Sequence, residues 1–472
     1  MTSDTEANHT DVAIVGAGTG GYVAAIRAAQ RDLDVTLIEA SEFGGTCLNF
    51  GCIPSKALIH ATNTAYEASH AEEMGVYADP EIDFGEMVEW KDGVVDTLTG
   101  AVEKLCKANR VNLVEGLATF EDEHSLSVDL NDGGTEYYEF ENAVIATGSR
   151  PIEVPGFEFD GEHILSSKHA LDLDELPEKL VVVGAGYIGM ELSMVFAKLG
   201  VDITVVEMLD EMLPGYDRDL TRPVEKKAAE FDITFEFGEA ASDWEEQEDG
   251  ILLKTENEDG EISSYEADKA IVAVGREPVT ESANVEALGV DIDENGFIET
   301  DDQGRTTTDH VFAIGDVSGE PLLAHAGSAE GEVVAEVLAG GDASMEDTEI
   351  PAAVFTEPEI AMVGHSQAEA EEAGHETMVG EFPFQSSGRA LSTGHVEGFV
   401  RVIGDAETGT VLGARIVGPK ASELIAEFGL AVEIEATVED IAETVHTHPT
   451  LAESSMEAAE NALGQAIHTL NR

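Results

Sequence analysis

One ten-residue pattern occurs twice, and it restricts the fold more than any other feature of the chain. Residues 12–21 read VAIVGAGTGG and residues 180–189 read LVVVGAGYIG. Each is a short apolar strand followed by three spaced glycines, Gly16, Gly18 and Gly21 in one copy and Gly184, Gly186 and Gly189 in the other. A helical stretch follows each, then a second apolar strand (VTLIEA, ITVVEM) that ends on an acid. Glu39 stands 23 residues after Gly16, and Glu207 stands 23 after Gly184. These are the parts a dinucleotide site requires: glycines for a tight turn and close backbone approach, a helix amino terminus facing a pyrophosphate, and an acid for ribose hydroxyls.

The duplication runs further. NDGG (131–134) reads as a hairpin turn between LSVDL and TEYYEF, and AVIATGSRP follows at 143–151. In the second copy ENEDGE (256–261) is the matching turn, and AIVAVGREP follows at 270–278. Gly16 to Gly148 spans 132 residues but Gly184 to Gly275 only 91, so the first copy carries extra chain. Beyond the repeat, VFAIGDV (311–317) is a strand ending in Gly315-Asp316, with a helix expected over 326–339. Residues 351–472 carry no nucleotide fingerprint. EGFVRVI, a DAETG turn and VLGARIVG suggest an antiparallel sheet, with helices over 422–434 and 451–466.

A chain of 472 residues exceeds a single core. The expected fold is α/β: two Rossmann-like nucleotide-binding domains with inserted β-meanders, and a C-terminal α+β domain. The expected division is 1–150, 151–280, 281–350 returning to complete the first domain, and 351–472.

Ninety-seven acids against 24 bases leave a net charge of −73. That excess argues against nucleic acid, whose phosphates need Lys and Arg. Self-repulsion of this size opposes compaction in dilute buffer and is screened in molar salt, which points to a host with a very salty cytoplasm. The opening MTSDTEANHT has neither the basic nor the apolar part of a signal peptide, and no run of 18 apolar residues exists to span a membrane.

The cysteines are Cys47, Cys52 and Cys106. The first two lie in GGTCLNFGCIPSKALIHA (44–61), inside the extra chain of the first copy. Pro54 suits the first turn of a helix, whose dipole is expected to acidify the thiols. Zinc would need two further ligands, and Cys106 is distant and alone; no metal site is expected.

The cysteine segment, both fingerprints and the carboxyl end together resemble the pyridine nucleotide–disulfide oxidoreductases over essentially the whole chain, and most closely the branch that oxidises dihydrolipoamide. The resemblance implies FAD at Gly16, Gly18, Gly21 and Glu39, with Thr147, Gly148 and Asp316 also near it, and NAD at Gly184, Gly186, Gly189, Glu207 and Gly275. Glu207 favours NAD over NADP, because a carboxylate repels a 2′-phosphate and Met208, Leu209 and Asp210 offer no cation. It implies Cys47 and Cys52 as the redox pair, and Lys56 and Glu191 as an ion pair beside the flavin. Tyr187 is either a cover for the nicotinamide pocket or a packing residue in the turn. In HTHPTLAE, His448 becomes the acid–base and Glu453 its orienting carboxylate, while His446 is read as support. Implied too are a homodimer, in which His448 reaches the cysteines of the other subunit, and a partner that is a lipoyl-bearing protein or free dihydrolipoamide. Rival readings are a glutathione or mercuric ion reductase, or a non-catalytic flavoprotein subunit.

Activity and resistance to unfolding are expected to rise together between about 0.1 and 2 M salt, where screening tightens. Full stability at the low end would refute the salt argument.

Overall fold

The computed structural model describes residues 7–346 and 348–471. The first six residues of the amino-terminal segment discussed above lie outside the described residues.

Each fingerprint opens on a strand whose last four residues are buried, 12–15 in Asn8–Val15 and 180–183 in Lys179–Val183. A continuous apolar run of this kind belongs in the middle of a parallel sheet, covered on both faces. Asn8–Val15 lies between Val35–Glu39 and Thr135–Ile145, with Asn112–Asp122 and Val311–Ala313 outside them. Lys179–Val183 lies between Asp202–Glu207 and Lys269–Val272, with Thr234–Phe237 and Ile164–Leu165 outside. The two five-strand orders match position for position. They differ in where the last strand comes from: residues 311–313 arrive after the second copy, whereas residues 164–165 precede the second glycine loop.

Both expected hairpins form. In the first copy Asn112–Asp122 and Thr135–Ile145 run out of the parallel sheet and take Ser125–Leu130 between them. In the second copy Glu239–Gln247, Gly250–Asn257 and Ile262–Ala267 make a separate three-stranded sheet. The extra chain of the first copy contains the helices Gly45–Asn49, Cys52–Ser69 and Phe84–Ala108, between strands Val35–Glu39 and Asn112–Asp122.

The carboxyl-terminal region is a five-stranded antiparallel sheet carrying the helices Ala421–Glu433 and Glu453–Ala462. The last helix is shorter than the expected 451–466. Gly464, at φ +70°, takes the chain out of the helical region after Leu463. The helix expected over 326–339 is Ala324–Leu338.

The three glycines of each fingerprint have different duties. Gly16 and Gly184 adopt φ +103° and +104°. A Cβ at Gly21 would overlap the carbonyl oxygen of Gly16, and one at Gly189 that of Gly184. These positions are required by the turn itself. Gly18 and Gly186 have ordinary negative φ, and a Cβ at either would meet nothing of the protein within 4 Å. Their bareness serves whatever approaches from outside. Gly21→Ala should therefore cost about 1–3 kcal/mol of overpacking, measured as thermal unfolding of nucleotide-free protein. Gly18→Ala should stay within about 0.5 kcal/mol of the parent and show its cost in dinucleotide affinity. Equal destabilisation by the two would reject this division.

Candidate active site

Cys47 lies in the short helix Gly45–Asn49, and Cys52 is the first residue of the helix Cys52–Ser69. The two thiols act on each other's ionisation, and unequally. Cys52 is lowered to about 7, chiefly by the Cys47 thiol; burial opposes this and the Lys56 cation supports it. Cys47 is pushed up by the Cys52 thiol and by burial. The expectation that the helix acidifies both thiols is thus corrected. Only Cys52 occupies the helix start, and two such thiols cannot both be the easier one to ionise.

Lys56 follows Cys52 by one helical turn, on the same face. Its Nζ lies 2.8 Å from Glu191 Oε2 and 4.5 Å from the centroid of the Phe355 ring. Glu191 belongs to the helix Tyr187–Lys198, which starts at the second glycine loop, and its side chain is 5 % exposed. Its other oxygen accepts the Phe355 N–H at 2.9 Å. A carboxylate this deep is satisfied by one full charge and one amide.

Cys47, Cys52, Lys56 and Glu191 border a cavity of about 450 Å³. Gly16, Gly18, Gly21 and Glu39 line it together with Cys47 and Cys52. Thr147, Gly148, Asp316 and Tyr187 also line it. The walls are braced: Thr147 Oγ1 donates to Val279 O at 2.5 Å, Ser149 donates to Asp316, and Arg276 Nε donates to Ser149 Oγ at 2.8 Å. The Gly315 N–H donates to Glu330 at 2.5 Å, tying the loop before Asp316 to the helix Ala324–Leu338.

The acids that close the two fingerprints are set alike. Glu39 accepts the N–H groups of Ala17 (2.7 Å) and Ser41 (2.8 Å), and Glu207 those of Ala185 (2.8 Å) and Leu209 (2.9 Å). Their surroundings differ. Glu39 lines the cavity, whereas Glu207, Gly184, Gly186, Gly189 and Gly275 do not. The first copy is therefore built into the redox centre, and the second presents a separate loop whose helix carries Tyr187 and Glu191 back to it.

Ser149, Arg276, Phe355 and Glu330 went unnoticed in the sequence. For the first two a signal existed. Each follows the terminal glycine of its copy (ATGSRP, AVGREP), and these tails pair antiparallel, Ser149–Pro151 with Arg276–Pro278. Phe355 and Glu330 carry no local pattern.

His448 and Glu453 stand apart from this cavity. His448 Nδ1 lies 2.8 Å from Glu453 Oε1, and Glu453 Oε2 accepts the Thr450 N–H at 2.8 Å. Burial pushes Glu453 up, but that amide and the imidazole hold it below the usual carboxylate value. The His448 side chain is 80 % exposed, whereas His446, held by Glu427 (2.7 Å) and Thr444 O (2.8 Å), is 8 % exposed. One imidazole is exposed and the other is built in.

Comparison with known proteins agrees over the whole length. The family model described as pyridine nucleotide-disulphide oxidoreductase matches residues 10–331, and its dimerisation domain matches residues 350–459. The chain is 60 % identical to a dihydrolipoyl dehydrogenase of Halobacterium salinarum, covering 98 % of each. It is 58 % identical to one of Haloferax volcanii, covering 99 % of each. Among solved structures it is similar to LpdA from Mycobacterium tuberculosis, with a TM-score of 0.90 at 28 % identity over 96 % of this chain and 99 % of that one.

In the reduced protein, alkylation of Cys52 should rise with pH through a midpoint of about 7, since a lowered thiol is ionised above that value and protonated below it. Lys56→Met removes the nearby cation and should move the midpoint up by about one pH unit. An unmoved midpoint would show that Lys56 does not act on the thiolate.

Proposed function

The chain belongs to the pyridine nucleotide-disulphide oxidoreductases, and from that premise we propose that it oxidises dihydrolipoyl groups to the cyclic disulfide and passes the electron pair through bound FAD to NAD. The observation that carries the reading is the thiol pair Cys47 and Cys52 lining one cavity with the first glycine loop, with the Lys56–Glu191 ion pair beside it. The substrate follows from what the relatives of 60 % and 58 % identity are named for.

The residues present fit FAD: the bare Gly18 leaves room at the loop, and Glu39 lines the same cavity as the cysteines. Gly16, Gly18, Gly21, Glu39, Thr147, Gly148 and Asp316 would hold it, and when bound it supplies the two-electron step between thiols and nicotinamide. Gly184, Gly186, Gly189, Glu207 and Gly275 would hold NAD. Tyr187, 39 % exposed on the cavity wall, is placed either to cover the nicotinamide pocket or to pack the turn. We take 1–150 with 281–350 as the FAD domain and 151–280 as the NAD domain.

Residues 350–459 match the dimerisation domain, and the working unit is a homodimer. His448 does not line its own chain's cavity, so we place His448 of the partner subunit over the cysteines. There it takes a proton from one dihydrolipoyl thiol, with Glu453 fixing the ring. The thiolate attacks Cys47 of the oxidised pair, the Cys47–Cys52 bond breaks, and Cys52 leaves as the thiolate that Lys56 stabilises. The second substrate thiol displaces Cys47 and closes the substrate disulfide. Substrate is oxidised by two electrons, the cysteine pair is reduced by two, and the pair is restored as those electrons reach NAD.

Among the described residues no helix is long and apolar enough to cross a membrane. We place the enzyme in the cytoplasm of a salt-loaded cell, with a lipoyl-bearing protein or free dihydrolipoamide as its partner.

Holoenzyme in high salt should reduce NAD with dihydrolipoamide and, when given NADH, should reduce glutathione disulfide and mercuric ion far more slowly. Cys52→Ser should lower that turnover by at least about 10³-fold while FAD stays bound. Undiminished turnover in Cys52→Ser would end the proposal.

A further inference from the structure

The Lys56–Glu191 pair has a counterpart two turns away. Asn63 stands seven residues after Lys56, and Lys198 stands seven after Glu191. Lys198 Nζ donates to Asn63 Oδ1 at 2.5 Å. The helices Cys52–Ser69 and Tyr187–Lys198 therefore run in the same direction, joined by two polar rungs about 10 Å apart along their axes.

Both rungs are closed by the same third segment, residues 355–357. At the near rung the Phe355 N–H bonds Glu191 and the Phe355 ring lies under Lys56. At the far rung Glu357 Oε2 lies 2.5 Å from Lys198 Nζ, and the Glu357 N–H donates to Met194 Sδ at 3.1 Å. The polarity inverts between them. The near rung has its cation on the cysteine helix, and the far rung has its cation on the second-fingerprint helix.

The far rung is costly. The Lys198 side chain is 3 % exposed, and burial lowers its pKa against the pull of Glu357. Its surroundings are crowded with charge: Lys227 approaches Glu357 at 3.6 Å, Glu230 pairs with Lys227, Glu67 is close by, and Phe231 lies 5.0 Å beneath Lys198. Tyr66, stacked on His70, faces Lys227 at 5.1 Å. An apolar residue here would serve stability as well or better, since buried ion pairs are often replaceable without loss. What an apolar contact lacks is register. Packed helices can slip or pivot about one polar contact, but not about two.

We propose that Lys198, with Asn63 and Glu357, is a remote positioning rung that fixes the register of the cysteine helix on the second-fingerprint helix, and so sets how closely the Lys56 cation stands to Cys52. Lys198 touches no reacting atom. Its effect reaches Cys52 through Glu191, Phe355 and Lys56. The inference rests on the proposed role of Lys56 and adds to it a residue two turns removed.

The test uses FAD-loaded dimer carrying Cys47→Ser, in about 2 M salt, where exposed charges are screened and buried ones far less so. Cys52 is then the one thiol beside the oxidised flavin, and its ionisation is read from the long-wavelength thiolate-to-flavin absorbance as pH is varied. Lys198→Met should raise the midpoint by about half a pH unit, a roughly threefold loss of thiolate at a fixed pH below it. Lys198→Arg, which keeps the cation, should restore the midpoint. Asn63→Ala leaves Lys198 and Glu357 in place and should move it the same way by less, which supplies the answer if Lys198→Met does not fold. A lower melting temperature with an unmoved midpoint, in Lys198→Met or in Asn63→Ala, would reduce the rung to a structural brace and overturn the inference. Lys56→Met in the same background separates the two claims. If it too leaves the midpoint unmoved, the role of Lys56 has failed; if it alone moves the midpoint, only the remote rung has.

Discussion

The arrangement of the molecule depends on one buried carboxylate. Glu191 comes from the second glycine copy, its cationic partner Lys56 from the first, and its amide partner from Phe355, at the entrance to the carboxyl-terminal region. Stripped of either contact, a carboxylate 5 % exposed would cost several kcal/mol. The three parts of the chain must therefore meet at one point for any of them to be comfortable there. That point is also where Cys52 needs a cation, so assembly and reactivity are governed by the same contact.

The duplicated fingerprint shows how one local solution serves two purposes. Glu39 and Glu207 bind their own glycine loops through matching pairs of amides. Nothing in those contacts distinguishes a flavin site from a nicotinamide site. The distinction comes from what the first copy acquired between its second and third strands: helices that carry Cys47, Cys52 and Lys56 to its cavity. The second copy contributes Tyr187 and Glu191 from the helix that begins at its own loop.

The charge distribution is as uneven as the total suggests. With 24 bases among 97 acids, cations are scarce, yet several stand deep in the structure. Lys56, Lys198 and Arg276 have side chains 30, 3 and 10 % exposed, and each holds two or more segments together. Acids cover the outside, where molar salt screens them; buried pairs are shielded far less by salt, which is where specificity is better kept.

The sequence by itself determined the two nucleotide folds and marked the cysteine pair and the His448–Glu453 pair, because each is a local pattern; the redox and acid–base roles came from the family resemblance. Glycine spacing, a Cys-x4-Cys before a proline, and His448 five residues before Glu453 are constraints that neighbouring residues impose on one another. Tertiary structure alone decided which thiol is the more acidic, since that turns on how the Cys47 thiol and the Lys56 cation stand to Cys52. It alone brought Phe355, Ser149 and Arg276 to the site and set the rung of Asn63, Lys198 and Glu357, whose members are separated by 135 residues or more in the chain. It alone showed that His448 does not line the cavity that holds its own cysteines. Charge and burial act through space, and short sequence patterns do not record which distant segments will come to share it.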